Sequence, residues 1–533
     1  MADDKARSNI VTLSKELLFA LFLLAVVLVF RPTKAEAATI NVAVGTSVIT
    51  NGDSICQLEE AIENVNDGVR TYADCVEVGG YGPSNTIKLP LGTITGTGSG
   101  STEVESGSGY SSDVHVTIDG HGKDQSILED INLEFRGDNV SSISLQDFTI
   151  LRGDLSLHNA VNTTLDSVEV DGNNQADLMA GIKISDTEQI TIRDSYIHNI
   201  EASFGDPDGT TLGIGVGIEG KKSGDNGGRS DILIERTTIS QTSLGIILDH
   251  DIGSSTGYDG SGLAVIDATI RNSTFTDLSM NLNIFPGSGS TIDSPLFGMY
   301  SPAGILIMFG GRSNTDYGTI NYTTINNTYS NIRNTNYVVT PASAIREVGL
   351  GQGRVAHTTQ NDLLAVGNGS TVNYGRMAFD TTDSPAFSTT SNGGNVSSDN
   401  SLSTWLTQPS DKHSQTSLAS FLGALSDNGG AVPTLALLEG SPAINAGTNV
   451  AGLTTDAKGG ARVLGAASDA GAYESTFNNV VGSAGSTGGK VPGVPNTGLS
   501  LLLNNPVATL IMTTVSAALL WFLSRRIKLK RLW

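Results

Sequence analysis

The chain has 533 residues, 63 of them Gly, with only 6% aromatic and 16% charged side chains, a composition that excludes a disordered polyelectrolyte and favours a Gly-rich β-former over a helical enzyme. Its formal net charge is −23, and because residues 1–37 carry +1 and residues 499–533 carry +5, residues 38–498 carry −29. Such a body has no field to hold a phosphate backbone, so nucleic acid is excluded as a partner; it suits a soluble surface protein, or one that holds divalent cations through carboxylates.

At the N-terminus, Lys5, Arg7 and Lys15 precede an apolar run from Leu17 to Phe30, and Ala35-Glu36-Ala37 supplies a small-x-small pattern. This predicts a secretory signal peptide over 1–37, cleaved after Ala37. A retained N-terminal anchor is the less favoured alternative, since the run is short for a membrane span. Residues 38–112 follow as an N-terminal cap region. Its two cysteines, Cys56 and Cys75, are the only ones in the chain, and in an oxidising compartment they read as a disulfide. Closing a loop of about twenty residues stabilises a fold by about 3 kcal/mol in the loop-entropy picture. Without a CxxC spacing or a Cys/His cluster, a zinc or iron–sulfur site has no support.

From about residue 113 to 330 short strands of alternating apolar residues recur, each followed by Asn, Asp, Ser or Thr. One set is Gly181-Ile182-Lys183-Ile184, Gly215-Val216-Gly217-Ile218, Gly245-Ile246-Ile247-Leu248 and Gly304-Ile305-Leu306-Ile307. A second set pairs apolar residues five apart: Ile192/Ile197, Ile234/Ile239, Ile270/Phe275 and Ile320/Ile325. Strands of the first set begin at Ile182, Val216, Ile246, Leu282 and Ile305, spacings of 34, 30, 36 and 23 residues. A propeller or leucine-rich repeat would hold its period better. Constant strands with loops of variable length are what a right-handed single-stranded parallel β-helix allows, with inward residues stacked about 4.8 Å apart from coil to coil. The expected fold is therefore all-β, a parallel β-helix over 113–420, preferred to a β-sandwich because the strands resemble one another. Residues 331–420, polar and Asn/Thr-rich, read either as further coils or as a decorated loop region.

Because many β-helices act on polysaccharides, carboxylates on the strands are the first candidates for chemistry. Asp249-His250-Asp251 ends a strand, and Asp206, Asp208, Asp225 and Asp231 fall in neighbouring coils. Asp249 and Asp251 could serve as acid and base, and Asp206, Asp208, Asp249 and Asp251 could take Ca²⁺. Asp-rich turns that solvate a Gly-rich loop are the preferred reading, with no cofactor required. Tripeptides associated with pectin-cleaving enzymes do not form a set along these strands, which weighs against an enzyme. Arg193, Arg236 and Arg271 occupy comparable repeat positions, with acids nearby; a salt-linked ladder is preferred to a row that binds an acidic glycan. The histidines show no triad-like spacing.

The C-terminal end is a Gly/Ser-rich linker over 477–498, an apolar stretch in which Val507–Leu523 has no charge, and a basic tail at 525–533. The predicted transmembrane helix spans 499–524, its basic flank cytoplasmic and everything before it outside.

Three modules resemble known families. Ile55-Cys56-Gln57-Leu58-Glu59-Glu60-Ala61-Ile62, followed by Leu89-Pro90-Leu91-Gly92, resembles the CSLREAI motif that opens bacterial surface β-helices, with Gln57 and Glu59 in place of the usual Ser and Arg. The resemblance implies a short amphipathic helix capping the first coil. Residues 421–476 contain Asp427-Asn428-Gly429-Gly430, Gly440-Ser441-Pro442-Ala443-Ile444-Asn445-Ala446-Gly447, Thr455-Asp456-Ala457-Lys458-Gly459-Gly460 and Ser468-Asp469-Ala470-Gly471-Ala472-Tyr473-Glu474, and resemble the choice-of-anchor Q domain. Val494-Pro495-Asn496-Thr497-Gly498, with the span and basic tail behind it, resembles the LPXTG sorting signal that a sortase cuts between Thr and Gly, with Val for Leu. Sortase processing and simple membrane retention stay open as alternatives. Together these features imply a bacterial, envelope-anchored surface protein, an adhesin that binds an extracellular glycan or a neighbouring cell, or alternatively an anchored polysaccharide lyase or glycoside hydrolase.

Overall fold

The computed structural model describes residues 37–477 with breaks, the longest at 106–113, 221–227, 250–264, 280–300, 334–340 and 379–384. The signal-peptide run, the VPNTG segment, the predicted span and the basic tail lie outside the described residues. Among the described residues, no helix is long and apolar enough to cross a membrane.

The chain folds as a parallel β-helix whose coils each contribute a strand to three faces. On the first face, strands such as Gln189–Arg193, Arg229–Glu235, Val265–Arg271, Thr319–Ile325 and Arg354–Gln360 pair in parallel with the next. The second face carries Tyr196–Ile200, Thr238–Thr242, Thr274–Thr276, Thr328–Ser330 and Leu363–Ala365. The third carries Leu155–His158, Ala180–Ser185, Ile214–Glu219, Leu244–Asp249, Ala303–Ser313, Ser343–Gly351 and Val372–Ala378. Two long strands, Val140–Leu151 and Asn162–Asp171, run through both the first and second faces.

What bends each coil is a residue in the left-handed region at two corners. Between the first and second faces it is Asp147, Ser167, Asp194, Arg236, Asn272, Asn326 or Asn361, with φ from 47° to 60°. After the second face it is Asp130, Arg152, Asn199, Gln241, Asp277 or Asn331. Asn and Asp tolerate this conformation best. Where an Arg takes it instead, the guanidinium is held by the left-handed Asp one coil earlier: Arg236 on Asp194 at 2.8 and 2.6 Å, Arg152 on Asp130 at 2.7 and 2.8 Å.

Inside, columns of one residue per coil form a continuous apolar core. The third-face column is Leu155, Ile182, Val216, Ile246, Ile305, Ile345 and Tyr374, so successive steps take 27, 34, 30, 59, 40 and 29 residues. Leu282 is not a rung of it: the column passes from Ile246 to Ile305, and Leu282 lies outside the described residues. The pair Ile320/Ile325 is also out of register with its predecessors. Ile270 stacks on Thr324, and Phe275 stacks on Tyr329 with ring centroids 5.0 Å apart, while Ile325 faces outward opposite Arg271. A polar Thr at an inward position had hidden the true register. Residues 343–397 supply further coils, ending at Val396–Ser397.

The helix α1, Leu58–Asp67, buries Leu58, Ala61, Ile62 and Val65 in the N-terminal end of the same core, and Gly68 ends it in the left-handed conformation. Cys56 and Cys75 flank it and are disulfide-bonded. After the last coil, the segment 421–477 returns along the outer side of the second face. Thr238 Oγ1 donates to Pro433 O at 2.6 Å, Asn272 Nδ2 to Thr455 O at 3.0 Å and Asn361 Nδ2 to Thr448 O at 2.7 Å, and Ala472 N donates to Thr328 Oγ1 at 2.9 Å. Within it, Asp456, Asp469 and Glu474 accept backbone N–H groups and Arg462 donates to three carbonyls, so the motif residues of this segment knit its turns.

The glycines that precede the inward third-face residues mark where neighbouring coils approach most closely. A Cβ on Gly245 would stand 2.3 Å from Gly304 O and 2.9 Å from the Phe275 ring, whereas one on Gly375 would meet nothing nearer than Ser343 Oγ at 4.0 Å. Gly245→Ala is expected to destabilise the fold by about 1–3 kcal/mol and Gly375→Ala by far less, a difference readable from denaturant unfolding midpoints of the two variants.

Candidate functional site

The structure separates the acids that the sequence groups. Asp249 ends a third-face strand and is 6% exposed, while Asp231 stands on the outer side of the first face, bonded to Arg229 at 2.9 Å. Asp206 ends the short hairpin strand Ser203–Asp206; Asp208, Asp225 and Asp251 lie outside the described residues. In place of Asp251, the register sets Glu219 beside Asp249 one coil away, also buried. That pairing was legible only as Ile218-Glu219 and Leu248-Asp249 at matching positions of two repeats. Among the described residues no group of three or more His, Cys, Asp or Glu side chains is placed to hold a metal. Of the tripeptides associated with pectin-cleaving enzymes, Gly120-His121-Gly122 lies beyond the first-face strand Val114–Asp119, Asn314-Thr315 and Arg526–Lys528 lie outside the described residues, and Gly-Asp-Asp does not occur in the sequence.

The arginines of the repeat are committed to carboxylates of adjacent coils. Arg193 binds Asp166 at 2.9 and 2.6 Å, and Arg271 binds Glu235 at 2.8 and 2.5 Å. Lys88 pairs with Asp119 at the same rim of the first face. Each part-exposed pair adds at most about 1 kcal/mol, but together they cancel the charge along this edge.

Between the rims runs a row that is visible only in the folded register. The central outward position of the first face is Thr39, Thr86, Thr117, Ser144, Thr164, Thr191, Leu233, Thr269, Thr323, Thr358 and Thr390 in successive coils. These side chains are part-exposed, and Thr390 is exposed. A groove of about 570 Å³ opens on this face, with Thr191, Leu233, Thr269 and Thr323 along it and Asp231, Asp267 and Arg271 at its sides. The equivalent outward positions on the second face, Thr238, Thr274 and Thr328, are buried, and the return segment bonds to the first and last of them. The third face buries Leu244, Ile247, Leu306 and Val348 on its outer side. Among the described residues, the first face is thus the one whose outer row stays open along the stack.

Two further polar clusters were missed by the spacing of the histidines. On the second face His198 Nε2 lies 2.9 Å from Glu169 Oε1, Asn199 bridges its other nitrogen to Asp171, and the Tyr196 ring stacks on it at 3.9 Å. Asp171 and His198 are register neighbours 27 residues apart, one coil length. The other cluster lies inside the core near its C-terminal end. The buried Glu347 accepts from Tyr322 at 2.7 Å, from Tyr374, and from Arg376 at 2.9 Å, and Arg376 stacks over Trp405 at 4.3 Å. His357, stacked on Tyr322 at 4.3 Å, bonds to Thr324 at 2.9 Å. These interior groups hold the end of the stack together.

No protein-family model, curated protein or solved structure matches the chain.

Burial, helped by the charge of Arg376, pushes the His357 imidazole down to about 3. His357 therefore stays neutral in the fold while an unfolded His protonates near pH 6.5, so stability is lost as pH falls from 6.5 towards 3. Between pH 7 and pH 4.5, His357→Gln is expected to lose about 2 kcal/mol less stability than the parent chain, as read from urea midpoints at the two pH values.

Proposed function

We propose that the chain is an exported, envelope-attached surface protein that binds extracellular glycan, or the glycan coat of a neighbouring cell, through the outer side of its first face. The observation that carries this reading is the polar row of that face, which stays part-exposed from coil to coil, whereas Thr238, Thr274 and Thr328 on the second face and Leu244, Ile247, Leu306 and Val348 on the third are buried. A parallel β-helix presents such a row rigidly, because every strand is fixed by the coils before and after it. Placement outside the cell rests on the N-terminal run ending at Ala37, the C-terminal apolar stretch and its basic tail. The CSLREAI-like segment around Cys56, the choice-of-anchor-like blocks of 421–476 and the LPXTG-like Val494–Gly498 point the same way, with sortase as the partner that would attach the chain.

The second reading, an anchored lyase or hydrolase, is favoured by one observation, the buried Glu219 and Asp249 side by side. A glycan array probed with the full chain, run beside an assay for reducing ends or unsaturated products, separates the two. Binding without product, unchanged in Asp249→Asn, is the expected outcome. Product release abolished by Asp249→Asn would instead establish the enzyme. Mass spectrometry of protein released from the cell surface is expected to give a C-terminus at Thr497 if a sortase acts, and an intact tail if the chain stays in the membrane.

A further inference from the structure

We infer that the ligand is a neutral, extended polysaccharide chain lying along the threonine row, parallel to the direction in which the coils stack; this rests on the glycan-binding reading above. Ten of the eleven positions from Thr39 to Thr390 carry a hydroxyl. At about 4.8 Å per coil the row extends about 48 Å. Each Thr offers one donor, two acceptor lone pairs and a methyl group, and a sugar unit in an extended chain advances by nearly the same step as one coil. One long polymer can therefore meet successive rungs in similar registers, which a compact ligand cannot.

Charge decides the class of polymer. On one rim Lys88, Arg193 and Arg271 are each paired with Asp119, Asp166 and Glu235. On the other, Arg229 bridges Asp231 at 2.9 Å and Asp267 at 3.0 Å, and Asn321 donates to Asp267 at 2.9 Å. A polyanion would have to break these pairs and approach a body of net charge −29, so an acidic glycan is disfavoured. A polypeptide is disfavoured as well, because the backbones of the groove strands Arg229–Glu235 and Val265–Arg271 are paired on both sides and offer no edge for strand addition. The exception in the row sharpens the assignment. Leu233 lies in the groove between Thr191 and Thr269, an alkyl surface among hydroxyls, suited to the C–H face of a pyranose ring.

The test measures binding of the full chain to cello-, manno- and chito-oligosaccharides of increasing length and to polygalacturonate, each at 50 and 500 mM NaCl. The expected result is binding to a neutral series that tightens with length and hardly changes with salt. The triple variant Thr191→Val, Thr269→Val, Thr323→Val, which keeps shape and β-propensity, should weaken binding about 10–100-fold, equivalent to about 1.4–2.8 kcal/mol, at an unchanged unfolding midpoint, because three hydroxyl hydrogen bonds are lost. The matching triple Ser variant should restore it, and Leu233→Ser should weaken it. Salt-sensitive binding to polygalacturonate alone, or Val variants that bind like the parent, would overturn this inference while leaving the glycan-binding reading intact. Binding to none of the four probes, with no signal on the array, would remove both.

Discussion

Every feature of this protein depends on one constraint, that each coil must hand the chain to the next in the same register. Parallel pairing fixes the strands at a constant separation, but a coil closes only if the backbone turns sharply between faces. The left-handed corner residues make that turn. Where the corner is Asn272, Asn326 or Asn361 the conformation is tolerated by a short polar side chain. Where it is Arg236 or Arg152, an ion pair to the corner Asp of the previous coil holds it. The corners thus link local backbone preference to long-range stacking, and they keep the first-face inward column aligned through Leu145, Leu165, Ile192, Ile234 and Ile270.

That same register distributes chemistry unevenly around the stack. Inward positions are Ile, Leu and Val through most of the length and become polar near the C-terminal end, where Glu347, Tyr322, Tyr374 and Arg376 satisfy one another. A buried carboxylate without such partners would be costly. From Thr238 to Thr328 the outer side of the second face is covered by the return segment, and from Leu244 to Val348 that of the third buries a second apolar cluster. The first face keeps a water-compatible row whose charges are neutralised at its rims. Long solenoid surfaces of this kind suit ligands that are themselves repetitive.

Much of the fold was legible in the sequence because its signals are local. Gly before an inward Ile, alternating apolar residues and Asn or Asp after a strand all reflect constraints within one coil. Where a signal depended on comparing coils, it blurred. Thr324 at an inward position made Ile320/Ile325 look like a repeat of Ile270/Phe275, and the 59-residue step from Ile246 to Ile305 invited Leu282 as an extra rung. The threonine row, the Glu219–Asp249 pairing and the His198–Glu169 contact share one cause: their members sit tens of residues apart, at distances set by loop lengths that obey no fixed period. The contacts of Thr238 and Thr328 with residues 433 and 472 are more remote still, and no pattern within a repeat encodes them.

The central claim is that the open first face is the binding surface, and hydroxyl-radical footprinting with and without bound glycan tests it most directly. Leu233 and Ile325 lie on that face, whereas the well-exposed Leu438 and Leu464 belong to the return segment. The account predicts that ligand lowers oxidation at Leu233 and Ile325 and leaves Leu438 and Leu464 unchanged. Protection at Leu438 or Leu464, with Leu233 oxidised as before, would contradict it.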